Sequence, residues 1–142
     1  MLPVLEEGIP LKLKSIQYNL PMNVQMLRSK IHRLTVTDAH LDYQGSITLD
    51  RNLMNSSGIL EHEKVQVVNV TNGERFETYV IPGPENSGVV CVNGAAAHLA
   101  KAGHIVIVMA FASMPLEAAK SFQPVLVMVD EKNHIKTAAT VL

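Results

Sequence analysis

Three short stretches of the chain hold residue types that could do chemistry. The first is Tyr43-Gln44-Gly45-Ser46. A Gly-Ser pair ordinarily makes a turn, with glycine supplying backbone freedom and serine bonding locally. The same pair can instead hold the Ser46 hydroxyl against the preceding carbonyl carbon. Oγ can then attack that carbon and take the acyl group from N to O. Elimination of the ester and hydrolysis would break the chain and leave a pyruvoyl group where the serine stood. The second stretch is Asn72-Gly73-Glu74-Arg75-Phe76-Glu77-Thr78-Tyr79. In a strand, Arg75, Glu77 and Tyr79 share one face while Phe76 and Thr78 share the other. A planar guanidinium near a phenol suits a carboxylate clamp beside a proton donor. A hairpin with a solvated polar face and a core Phe has the same pattern. The third is Val92-Asn93-Gly94-Ala95-Ala96-Ala97-His98. Small residues at a strand-to-helix junction let a ligand approach the backbone, where the first helical N–H groups favour an anion. A tightly packed helix start reads identically.

Other chemistries are excluded by what the sequence lacks. It contains no Walker A stretch, no G-x-G-x-x-G and no H-E-x-x-H. The six histidines lack metal-ligand spacing, and the single cysteine, Cys91, rules out a disulfide framework or a Cys-based zinc site. No metal is expected. With 12 basic and 13 acidic residues the net charge is −1, which leaves no electrostatic footprint for nucleic acid. No apolar run approaches the ~20 residues of a membrane span. Hydrophobic residues make up 47% and charged ones 18% of 142 positions, which suits one folded domain rather than a disordered chain. A reducing, cytoplasmic setting is the expectation.

The elements that must position these residues are mostly short strands. Ile31–Val36, Ile47–Leu49, Val65–Val70 and Arg75–Ile81 are β-branched or alternating. Asn72-Gly73 predicts a hairpin between the last two, since both residues accept positive φ. Val89–Val92, Ile105–Met109 and Val125–Val129 are continuous apolar runs, as expected of strands buried on both faces. Three helices fit between them. Asp50 to Ser57 has Asp50 as N-cap and Gly58 as its stop. Ala95 to Ala102 follows Asn93-Gly94, and Met114 to Phe122 carries Pro115 and Glu117 in its first turn. Many strands, few helices and one core predict a small β-barrel with helical plugs. Residues 1–25, with Pro3, Pro10 and Pro21 and no sustained period, read as an N-terminal extension to a domain spanning 26–142. Met22 and Met26 are equally sensible starts for that domain.

Taken together, the segments become specific. K-I-H-R at Lys30–Arg33, Y-x-G-S at Tyr43–Ser46, N-V-T-N-G-x-R-F-x-T-Y at Asn69–Tyr79 and V-N-G-A-A-A-H at Val92–His98 occur in this order, followed by A-x-x-S-M-P-x-E-A at Ala110–Ala118. This set closely resembles the bacterial aspartate 1-decarboxylases, from Met26 to about Val129. The extension before Met26 departs from the family pattern.

The resemblance implies a mainly β fold, a six-stranded double-psi β-barrel with short helices, assembled as a homotetramer with active sites at subunit interfaces. It implies cleavage between Gly45 and Ser46, with Ser46 becoming the covalent pyruvoyl cofactor that forms a Schiff base with L-aspartate. The implied product is β-alanine for pantothenate and coenzyme A synthesis. By the same match Tyr79 is the proton donor, and Thr78 serves substrate binding and maturation. Arg75 and Lys30 grip carboxylates, Tyr43 lines the pocket, and Asn93 with the Gly94-Ala95-Ala96 backbone positions the substrate. Part of the family needs an accessory maturation protein. Two rival readings remain: an uncleaved, inactive barrel used as a binding or scaffold module, and a pyruvoyl decarboxylase for another amino acid. The Gly45-Ser46 pair with Arg75 and Tyr79 weighs against the first, and Arg75 against any substrate lacking a second carboxylate.

Overall fold

The computed structural model describes residues 21–140, and in it the apolar runs become nine strands. They are β1 (Asn23–Thr35), β2 (Asp38–His40), β3 (Ser46–Asp50), β4 (Lys64–Asn69), β5 (Arg75–Gly83), β6 (Val90–Asn93), β7 (Ile105–Pro115), β8 (Val125–Val129) and β9 (Ile135–Thr140). Their hydrogen-bonded order is β2-β6-β3-β5-β4-β7-β1-β8-β9. The sheet is mixed, since β1–β8, β2–β6 and β3–β5 run parallel and the other neighbours antiparallel. A single core of Ile31, Leu34, Ile47, Leu49, Val65, Val67, Val80, Val92, Val106, Val108 and Val127 lies on one side of it. The protein is mainly β with short helices.

Two short helices flank the strands: α1 (Arg51–Ser57) and α2 (Leu116–Ala119). At the start of α1 the Asp50 side chain accepts from the Asn52 N–H at 2.8 Å, and the helix stops at Gly58, as the sequence predicts. The other two helical expectations are corrected. Ala95 to Ala102 is instead a one-turn 3-10 helix, Gly94–His98. In place of Met114 to Phe122, β7 runs on to Pro115 and leaves only the four residues of α2. The reason is tertiary. β1 begins at Asn23, before the expected Met26 boundary, and its first half pairs with Phe111–Pro115. A ladder partner outweighs local helix propensity there. Residues 1–20 of the expected extension lie outside the described residues.

The predicted hairpin joins β4 to β5, but through a wider loop than a two-residue turn. Only Gly73 there takes positive φ, at +79°, while Asn72 does not. Asn69 Oδ1 accepts from the N–H groups of Thr71 and Asn72, and both asparagine amides donate to Leu99 O at 2.9 and 3.0 Å. Of the apolar runs expected to be buried on both faces, only β6 is. β7 buries Val106, Val108 and Ala110 but leaves Ile105, Ile107 and Met109 half-buried.

The two ends of the strand order are drawn together. α1 touches β3 and β5 on one side and β8 and β9 on the other. Below it runs a chain of buried polar contacts. Asp50 accepts from Asn86 N at 2.9 Å and Gly88 N at 2.8 Å. Asn133 Nδ2 donates to Gly88 O and Thr35 O, both at 2.8 Å, and its Oδ1 accepts from Thr35 N at 2.8 Å. Each of these buried polar groups is satisfied, which such burial demands. The sheet therefore curls around its core and fixes where β3, β5 and β6 meet.

Candidate active site

β3 and β6 are antiparallel, with Ser46 opposite Asn93 and Thr48 opposite Cys91. The period of two puts these four side chains on the face away from Ile47, Leu49 and Val92. There they form one hydrogen-bonded group. Asn93 Nδ2 donates to Ser46 Oγ at 3.0 Å and to Thr48 Oγ1 at 3.1 Å, and the Cys91 thiol donates to Asn93 Oδ1 at 3.3 Å. Ser46 is fully buried, and its hydroxyl points to Gln44 O at 3.5 Å, a long contact. Burial pushes the Cys91 thiol pKa up, and the nearby Asp38 adds to that, so the thiol stays protonated at neutral pH.

Backbone packing completes the arrangement. Gly94 has φ +73°, and a Cβ there would stand 2.7 Å from Gly45 Cα, 2.8 Å from Gly45 N and 3.0 Å from Tyr43 O. Only glycine lets the chain leaving β6 press so closely on the Tyr43–Gly45 backbone just before Ser46. At Gly45 itself a Cβ would meet nothing within 4 Å. The Tyr43 ring is exposed beside it, in a cleft with Ala39, His40, Leu41 and Asp42.

β5 lies against β3 in parallel register, Ile47 opposite Val80, so Tyr79 stands level with Ser46 one step earlier. Tyr79 is partly exposed, and its ring lies 6.4 Å from the His62 ring at a 54° tilt. The alternation of β5 is as the sequence predicts: Arg75, Glu77 and Tyr79 are exposed, while Phe76 and Thr78 are half-buried. Glu77 is held by Lys64 Nζ at 2.9 Å. Among the described residues Arg75 makes no ion pair.

The Aspartate decarboxylase family model matches residues 22–136. The chain belongs to the aspartate decarboxylase family. It is 55% identical over 115 residues to the aspartate 1-decarboxylase of Clostridium botulinum (strain Loch Maree / Type A3), covering 81% of this chain and 91% of that one. It is 56% identical over 114 residues to the aspartate 1-decarboxylase of Cytophaga hutchinsonii, covering 80% and 99%. A third relative, the aspartate 1-decarboxylase of Caldicellulosiruptor saccharolyticus, is 56% identical over 114 residues, covering 80% and 89%.

Within this family member the fold gathers some of the expected site residues and not others. Tyr43, Gly45, Ser46, Asn93 and Gly94 are in mutual contact or in register. Tyr79 and Arg75 share the exposed face of the adjacent strand, while Thr78 points to the opposite face. Ala95 is exposed, and Ala96 packs against the core. Lys30 stands apart. In the strand order β5, β4 and β7 separate β1 from β3, and Lys30 lines a cleft of about 250 Å³ with Leu27, Pro124, Val125 and Leu126. No three His, Cys, Asp or Glu side chains among the described residues gather to hold a metal. Thr48 and Cys91, which the sequence did not single out, join the Ser46–Asn93 group through the β3–β6 register.

Proposed function

We propose that this chain is an aspartate 1-decarboxylase that matures by cutting itself between Gly45 and Ser46. The observation that carries the reading is the buried Ser46 hydroxyl, held by Asn93 next to Gly45, against whose N and Cα Gly94 packs. Kinship to relatives named for this activity supports it. In the cut, Ser46 Oγ bonds to the Gly45 carbonyl carbon as the Gly45–Ser46 C–N bond breaks, and the hydroxyl proton passes to the freed nitrogen. Loss of the Ser46 Cα proton and of the Cβ–Oγ bond then releases Gly45 as a carboxylate. Water displaces the nitrogen as ammonia and leaves a pyruvoyl group ahead of Ile47.

The residues present suit that group. Asn93 offers a neutral N–H donor that serves a carbonyl oxygen as well as a hydroxyl, and Gly94 keeps the surrounding wall free of side chain. Asn93, Gly94 and Tyr43 would hold it. Once formed, it supplies the keto carbon for the substrate amine and the electron sink that decarboxylation needs.

Arg75 binds the side-chain carboxylate of L-aspartate through its planar fork, which selects a dicarboxylic amino acid over a neutral one. Glutamate, one methylene longer, is disfavoured by about 1–3 kcal/mol of geometry. Tyr79 protonates the carbon from which CO2 leaves, giving β-alanine for pantothenate synthesis in the cytoplasm. Thr78 and the Gly94-Ala95-Ala96 backbone position the substrate. The distance of Lys30 from Ser46 along the sheet fits a homotetramer with interfacial sites, in which Lys30 serves a neighbouring protomer. The half-buried Ile107 and Met109 and the exposed Phe111 on β7 suit such contacts. An accessory protein that speeds maturation belongs to the same reading.

Intact mass spectrometry tests it. Wild type should give fragments 1–45 and 46–142, the larger without a free amino terminus, and Ser46→Ala should stay one chain. Full-length wild type after prolonged incubation with a maturation factor would end the pyruvoyl reading.

A further inference from the structure

Asn93 is the only contact that ties Ser46 Oγ to β6 among the described residues, so the direction of its amide matters. Two of its three neighbours do not decide that direction. Ser46 and Thr48 carry hydroxyls, which can donate or accept and would tolerate either orientation of the Asn93 amide. The third neighbour is Cys91, 8% exposed, with Sγ 3.3 Å from Asn93 Oδ1. A protonated thiol is a donor and only a weak acceptor, so it favours the carbonyl end of the amide.

We infer that Cys91 is a positioning residue for cleavage at Gly45–Ser46. Its S–H fixes the Asn93 carbonyl on the β6 side and so aims the NH2 group at Ser46 and Thr48. Both hydroxyl oxygens then accept from Asn93. The Ser46 proton is left to point away, towards Gln44 O, and the Asn93 N–H holds Oγ, the attacking atom, in one place. Fixing the attacking atom in this way lowers the cost of reaching the reactive geometry. Thr48 shares the role by accepting the second amide proton at 3.1 Å, which stops the NH2 group rotating. The inference rests on the self-cleavage reading above and adds Cys91 and Thr48 to it.

The test compares a donor with a shape mimic. Cys91→Ser keeps an O–H donor, whereas Cys91→Val keeps an apolar side chain of similar size. A merely structural, buried cysteine should be replaced better by Val. Positioning demands the reverse. Cleavage of the full chain is followed as the rate at which fragment 46–142 appears by intact mass, with melting temperatures recorded on the same samples. Wild type and Ser46→Ala run alongside, so that failure of wild type to cleave marks failure of the parent reading. The expected result is that Cys91→Val cleaves about three- to tenfold more slowly, the loss of one orienting hydrogen bond, while Cys91→Ser stays within about threefold of wild type. Thr48→Val and Thr48→Ser form an independent pair with the same expected order, which keeps the test standing if a Cys91 variant fails to fold. If wild type cleaves and the Val variants match or outpace the Ser variants at equal melting temperature, Cys91 and Thr48 only fill space and the inference is wrong.

Discussion

Replacing Gly94 by Ala probes the contact on which the site is built. Two costs add at this position. An L-residue at φ +73° sits in the left-handed region, at roughly 1–2 kcal/mol. The new Cβ also meets three backbone atoms of residues 43–45 at 2.7 to 3.0 Å, and backbone cannot step aside as the end of a flexible side chain would. Overpacking of that kind costs about 1–3 kcal/mol. Gly73→Ala is the matched control, with φ +79° and nothing within 4 Å of its Cβ, so it carries the first cost alone. Both should be melted by circular dichroism in a Ser46→Ala background, where the chain stays whole. At roughly 3–6 °C per kcal/mol for a chain of this length, Gly94→Ala should melt several degrees below Gly73→Ala. With Ser46 restored, Gly94→Ala should also cleave far more slowly, because the pressed peptide has been displaced. Equal melting temperatures and normal cleavage in Gly94→Ala would refute the close approach.

Two further predictions concern β5. Arg75→Ala should cleave normally yet lose aspartate turnover by at least ~10²-fold, and Arg75→Lys should recover little of it, since a point charge cannot reproduce a planar fork; β-alanine formation by the purified, cleaved variants is the measurement. Tyr79→Phe keeps the ring and loses only the hydroxyl, so it should cleave and still bind aspartate, with a borohydride-trapped mass adduct on the larger fragment, while β-alanine formation falls by ~10²-fold or more. Turnover within a few-fold of wild type would mean that another group delivers the proton.

Local signals were legible where local chemistry decides. The Asp50 cap, the Gly58 stop and the alternation of β5 follow from residue type and period, and the structure has them all. Errors arose where a distant partner decides. Setting Val24 and Gln25 outside the domain removed the strand that pairs with Met114 and Ser113, and without it that end of β7 reads as a helix start. The Ala95–Ala102 expectation failed similarly, because the turn at Gly94 is shaped by Gly45 and Tyr43, fifty residues earlier in the chain. At the site, Ser46, Asn93 and Gly94 come together across β3 and the end of β6, and Tyr79 lies on the adjacent β5. Cys91 and Thr48 escaped because a single thiol and a single hydroxyl carry no meaning until the β3–β6 register places both on one amide.

The location of β1 has a consequence for how often this protein can fold. β1 lies between β7 and β8 and contributes the fully buried Ile31 and Leu34 to the core, while β2 pairs with β6. A break at residue 45 therefore detaches no layer. The shorter piece keeps β1 between β7 and β8 and β2 beside β6, so both pieces keep their ladders. Connectivity, however, is gone. The intact chain folds as one molecule, at a rate independent of concentration, but once unfolded the two cut pieces must find each other again in solution. Maturation would thus turn a reversible, first-order folding reaction into a second-order encounter between two fragments, each missing the strands that cover its apolar face. After the cut, persistence of the native state would rest on the rate of its unfolding.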